Sequence, residues 1–194
     1  MRWIYTIFVS GLTMSLAPTD YDFGNASNYF FATTITCANE EARAMYVEAF
    51  GHMLNYNHEQ AIACFTQCAE LDPTCAMAYW GIAYCLSSSY NWAPGLGSGY
   101  DSIQLALANK EGCTELEIDL IDALSLRHTK EARDQMDPTV LNMGNTPELN
   151  AAFADAMEPI YEKYAGNLDV AAIYVEALMN LNPWQLWEKN TSTG

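Results

Sequence analysis

The sequence predicts an all-α fold, antiparallel helix pairs stacked as a right-handed α-solenoid, on three observations. Apolar residues recur at i, i+3, i+4 and i+7 in one stretch after another. Capping residues and prolines separate those stretches, and no segment reads as a convincing strand. Of 194 residues, 51% are hydrophobic and 12% aromatic, enough to fill a core, while 16% charged residues are too few for a solvated, disordered chain.

Residues 1–17 carry one positive charge, Arg2, then an apolar run from Trp3 to Val9 and small residues near Ala17. The stretch is a candidate secretory signal or an apolar N-terminal arm, and is too short to span a bilayer. On the first reading the chain is secreted, on the second cytoplasmic. Residues 18–38, with Gly24, Asn25, Ser27 and Asn28, form an irregular lead-in.

The helical domain is predicted over 39–187. Asn39 caps a first helix, with Glu40 and Glu41 at its positive end. Its apolar face is Ala42, Met45, Tyr46, Ala49, Phe50 and Met53. Asn57 and Gln60 have capping-box spacing ahead of a second helix striped by Ala61, Cys64, Phe65 and Cys68. Asp72-Pro73 ends it, because proline disfavours helix at the residue before it. A third helix is predicted over 74–86, then a loop over 87–99 and a short helix over 100–109. Thr114 and Glu117 form a capping box for a fifth helix bearing Leu116, Leu120, Ile121 and Leu124. Residues 129–145 read as a long connection. Thr146-Pro147 opens the next helix, since proline at the first helical position loses an N–H that has no partner anyway. Pro159 should kink or break that helix. The last helix, 169–181, carries Val170, Ile173, Tyr174, Ala177, Leu178 and Leu181, and residues 188–194 are a tail.

With Pro73 taken as the end of a helix pair, Ala61, Phe65 and Cys68 fall in the small, aromatic and small slots of a repeat, and Met45 and Ala49 recur 34 residues on as Tyr79 and Ala83. The chain resembles a group of large tetratricopeptide-repeat proteins. The resemblance rests on Thr33-Thr34, residues Tyr56 to Ala61, Asp72-Pro73, Cys75 to Ala83, Tyr90-Asn91, Tyr174 to Met179, Pro183-Trp184 and Trp187. It implies a binding scaffold, and a chain that continues past Gly194 into histidine-rich helices, so that this sequence reads as an N-terminal portion with an uncapped, self-associating end. The sequence departs from the pattern at Met45, Ala49 and Pro159.

The formal charge of −16, from 24 acidic and 8 basic residues, argues against nucleic acid and anionic membranes, whose binding needs Lys and Arg on phosphate. The partner expected is a protein or peptide. Residues 74–100 contain no formal charge yet hold Tyr79, Trp80, Tyr84, Tyr90, Trp92 and Tyr100. Either this centre is buried between neighbouring helix pairs or it lines an aromatic groove, with Tyr90, Asn91 and Trp92 above it. The candidate binding residues are therefore His58, Glu59, Tyr79, Trp80, Tyr90, Asn91 and Trp92. Met45, Glu48, His52, Tyr79 and Ala83 bracket the expected concave surface. His58-Glu59 also allows a metal-binding or hydrolase-like site completed by histidines outside this chain; otherwise His58 is simply exposed in a first helical turn. The six cysteines lack zinc-knuckle spacing and read as small buried hydrophobes, with disulfides open if the chain is secreted. No catalytic residue, metal ligand or cofactor motif is assigned: Gly95-Leu96-Gly97-Ser98-Gly99 lacks the lysine of a phosphate loop.

Overall fold

Asn39 accepts a hydrogen bond from the Ala42 N–H at 2.8 Å, and α1 (Glu40–Leu54) follows it. The computed structural model describes residues 6–9, 12–15, 30–87, 89–90, 99–134 and 147–183. Apart from one N-terminal hairpin, every regular element among them is helical. After α1 come α2 (His58–Leu71), α3 (Ala76–Cys85), α4 (Tyr100–Asn109), α5 (Glu115–Ser125), α6 (Lys130–Asp134), α7 (Pro147–Lys163) and α8 (Leu168–Met179).

The turn between α1 and α2 corrects one expectation. Tyr56 adopts φ 58°, and the bonds Tyr56 N to Met53 O (3.0 Å) and Asn57 N to His52 O (2.9 Å) close a Schellman turn. Asn57 is thereby fixed as the last residue of that turn. Its side chain makes no cap, and Gln60 leans on the Cys64 sulfur at 3.5 Å instead of reaching back, so no capping box forms. The box predicted at Thr114 does form: Thr114 N donates to Glu117 Oε2 at 2.7 Å and Glu117 N donates to Thr114 Oγ1 at 3.4 Å.

Other boundaries shift for local reasons. Asp72 accepts from both the backbone N–H and the hydroxyl of Thr74, at 3.0 and 2.6 Å, holding a turn that delays α3 to Ala76. The helix α6 lies inside the predicted connection, and the remainder of that connection falls outside the described residues. Pro159 does not break α7, which runs on to Lys163. The last helix starts earlier than predicted because Asn167 caps it, accepting from Asp169 N and Val170 N at 3.1 Å each. The expectation of no strand fails at residues 6–9 and 12–15, where β1 (Thr6–Val9) pairs antiparallel with β2 (Leu12–Ser15). Thr6, Ile7 and Val9 are β-branched and Phe8 is aromatic, and β propensity outweighs helical period in so short a stretch.

The packing explains the uncharged centre. Helix α3 touches α1, α2, α4 and α5, while α5 packs on α7 and α7 on α8. An element enclosed on so many sides has no solvent face on which to carry a charge: Ala76, Met77, Ala78, Trp80, Gly81, Ala83, Tyr84 and Cys85 are all buried. Burial between neighbours is the reading that holds for α3, while residues 91–98 of the segment lie outside the described residues.

The end of the lead-in is ordered as a strap, residues 30–38, containing a 3-10 turn at Phe31–Thr34. Three buried carboxylates hold it. Asp169 of α8 accepts from Ala32 N (3.1 Å), Glu117 of α5 from Thr36 N (2.6 Å) and Asp72 after α2 from Ala38 N (2.5 Å). Phe31 inserts edge-on against Phe50 of α1 and Trp80 of α3, with ring centroids 5.3 and 6.4 Å apart.

Candidate functional site

The aromatic residues of α3 are the natural place to look for a groove, and each has a partner. Trp80 is fully buried, and its indole N–H donates to the Leu120 carbonyl of α5 at 3.1 Å. Tyr84 lies beside it with ring centroids 5.2 Å apart and the rings tilted by 32°, and meets Phe153 of α7 edge-on at 6.5 Å. The strap covers one side of this row and α7 with α8 the other, so the wall expected to face a ligand is core.

Below Tyr84 lies a polar joint that the sequence reading missed. The Tyr84 hydroxyl donates to Glu176 Oε2 of α8 at 2.7 Å. Arg127 is buried, donates through Nε to Asn150 Oδ1 at 2.9 Å and lies over the Phe153 ring at 5.5 Å. Asn150 in turn donates to the Asn180 carbonyl at 3.1 Å. Burial raises the Glu176 carboxyl above its ordinary pKa, against the opposing pull of the Tyr84 hydroxyl and the Arg127 charge. Burial also raises Tyr56, with Glu176 adding to the effect, and Tyr56 packs edge-on against His58 at 5.9 Å. The joint can fix α8 against α3 and the α5–α6 turn. Its signal in the sequence is the run Asp169, Ile173, Glu176, Asn180, which shares one helical face through i, i+4, i+7 and i+11.

A second polar contact joins α3 to the α5–α6 turn: His128 Nε2 lies 2.8 Å from Ser87 Oγ and 3.0 Å from the Ala83 carbonyl. Both side chains are buried, and burial together with the Arg127 charge lowers the His128 pKa to about 4, so the ring is neutral. The Ser87 hydroxyl also bonds to Ala83 O at 3.0 Å, which makes this a helix-end lock without access for a substrate.

A cavity of about 390 Å³ opens beneath the strap, lined by Phe31, Ile35, Leu116, Glu117, Tyr164 and Asn167 among others. Its volume suits a small ligand. Its polar groups are occupied by the chain itself, however: Glu117 holds Thr36 and Thr114, and Asn167 caps α8.

The described members of the predicted site differ in burial. His58 is buried rather than exposed, and burial lowers its pKa; Glu59 beside it is exposed. Tyr79 is half-buried with its hydroxyl on the Pro73 carbonyl at 3.1 Å, and Trp80 is fully buried in the core. Tyr90 is half-buried, and Asn91 and Trp92 lie outside the described residues. Among the residues expected to bracket a concave face, Ala83 is buried, Met45, His52 and Tyr79 are half-buried and Glu48 is exposed.

Among the described residues, α8 presents an open apolar surface. Both charged residues of α8, Asp169 and Glu176, lie on its inward side, and its outer face exposes Leu168 (54%), Val175 (54%) and Leu178 (42%). Tyr174 continues that face toward α7, stacking on Tyr161 at 5.2 Å. No helix among the described residues is long and apolar enough to cross a membrane. No family model matches the chain, and neither a curated protein nor a solved structure matches it.

Proposed function

We propose that the chain is a tetratricopeptide-like α-solenoid that works as a protein-binding scaffold, with the outer face of α8 as its docking surface. The order of contacts supports the solenoid: α1, α3 and α5 lie side by side, with α2 and α4 each packed between successive members of that row. The outer face of α8 carries the binding reading. A surface helix ordinarily turns its charges to water, and here they turn inward while Leu168, Val175 and Leu178 face out. That inversion suits a helix whose outer side is covered by another protein helix. With the aromatic row of α3 closed by the strap, the end of the stack is where a partner has access.

Supplied with no partner, this face should pair with itself. Light scattering across a dilution series should show the apparent mass rising with concentration, and V175E with L178E should return the chain to monomer at unchanged helicity. A monomer insensitive to dilution, or association that survives both substitutions, removes the reading.

A further inference from the structure

Three cysteines far apart in the sequence meet at one point. The Sγ atoms of Cys37 in the strap, Cys68 of α2 and Cys75 at the start of α3 all lie within 4.8 Å of one another, and Cys68 and Cys75 are 4.0 Å apart. Cys68 and Cys75 are buried and Cys37 is half-buried. Packing alone asks only for small apolar side chains here, as Cys64 and Cys85 provide elsewhere in the core. It does not ask for three sulfurs turned on each other.

The spacing favours a metal over a disulfide. Tetrahedral zinc with Zn–S bonds of about 2.3 Å sets its sulfurs about 3.8 Å apart. A disulfide needs about 2.05 Å, and would leave one thiol unpaired. Both Asp72 oxygens nearby are already engaged, Oδ2 by Ala38 N and Oδ1 by Thr74, so the fourth position of a tetrahedral ion falls to water on the half-buried Cys37 side. The charge is partly balanced by Arg43, whose guanidinium donates to the Cys37 carbonyl at 3.3 Å and lies near enough to feel both Cys37 and Cys75. Burial pushes the Cys37 thiol up to about 12, and the Cys68 contact together with burial pushes Cys75 higher still.

We propose that Cys37, Cys68 and Cys75, completed by a water molecule, form a mononuclear site for a thiophilic divalent cation, zinc, tying the strap to the junction of α2 and α3. Binding exchanges three thiol protons for the ion, so affinity increases with pH. The half-buried Cys37 is the side from which the ion enters. The site is independent of the α8 surface and stands or falls separately from it.

The test is titration of the reduced, metal-stripped chain with Co²⁺, followed by Zn²⁺ competition. One cobalt per chain should give a near-ultraviolet thiolate charge-transfer band with intense tetrahedral visible bands, and zinc should abolish both. C37S and C75S should lose the thiolate band or reduce it in step with the missing sulfur, and weaken zinc binding at least tenfold. C85S, which removes a buried sulfur outside the cluster, should behave as the parent. If C75S fails to fold, C37S decides, since its side chain belongs to the strap and not to the helix pack. Absence of the band in the parent, a band unchanged in C37S, or a Cys68–Cys75 disulfide in chain isolated without reductant overturns the proposal.

Discussion

Gly81 is where α3 passes closest to α2. A Cβ at this position would lie 2.4 to 2.6 Å from ring atoms of Phe65, which is itself fully buried and has nowhere to move. The two residues are therefore one packing unit: a large ring in the α2 stripe and a missing side chain opposite. Phe65→Ala should cost about 3 to 5 kcal/mol through the cavity it leaves. Gly81→Ala should cost about 1 to 3 kcal/mol through overpacking. The double variant should lose clearly less than the sum, because the added methyl enters the space the ring vacates. Urea unfolding of the four chains measures this directly, and strict additivity would refute the contact. The aromatic slot at Phe65 was legible from its distance to Pro73; the glycine facing it was not, since a repeat pattern names the large residue and leaves open what it touches.

At the scale of the helix, the caps show what a local signal can and cannot convey. Asn39, Thr114 and Asn167 each accept from the first free N–H groups of their helices, whereas Asn57 has the same residue type and accepts none. The difference is the preceding turn: with Tyr56 at φ 58°, the backbone of Asn57 is already committed to closing α1. Asn167→Ala should destabilise by about 1 kcal/mol. Asn57→Ala should leave the unfolding midpoint nearly unchanged, and an equal loss in both would contradict the caps described. Tyr56 hid this turn, because a left-handed helix end is ordinarily marked by glycine or asparagine. Pro159 misled in the opposite direction: α7 continues through it for one further turn.

For the whole molecule, the strap matters most, because it ties α2, α5 and α8 together through three carboxylates and seals the aromatic row with Phe31. Asp169 makes this pH-dependent. Burial raises its pKa from 3.8 to about 6, so between those values the folded chain binds more protons than the unfolded one. Its contribution is therefore most favourable below about pH 4 and declines as pH rises to about 6. His128, lowered from 6.5 to about 4, acts in the other direction: the unfolded chain binds more protons in that window, so its contribution is complete above pH 6.5 and lost on acidification. Asp169→Asn removes the first effect and leaves the second. Between pH 4 and 6 the stability of D169N, followed by urea midpoint, should accordingly rise more steeply with pH than that of the parent. Parallel profiles would mean that Asp169 does not titrate in this window.

Local patterns determined the helical class, the apolar stripes of α1, α2 and α5, and the box at Thr114, because each rests on residues within a turn or two of one another. The tertiary structure alone decided what those helices enclose. That the uncharged aromatic centre is sealed, that Asp72, Glu117 and Asp169 face inward to hold a strap, that Arg127 meets Tyr84 and Glu176, and that Cys37 reaches Cys68 and Cys75 are all contacts between distant segments. Such contacts are set by which helix lies against which, and residue spacing along one chain carries no record of that.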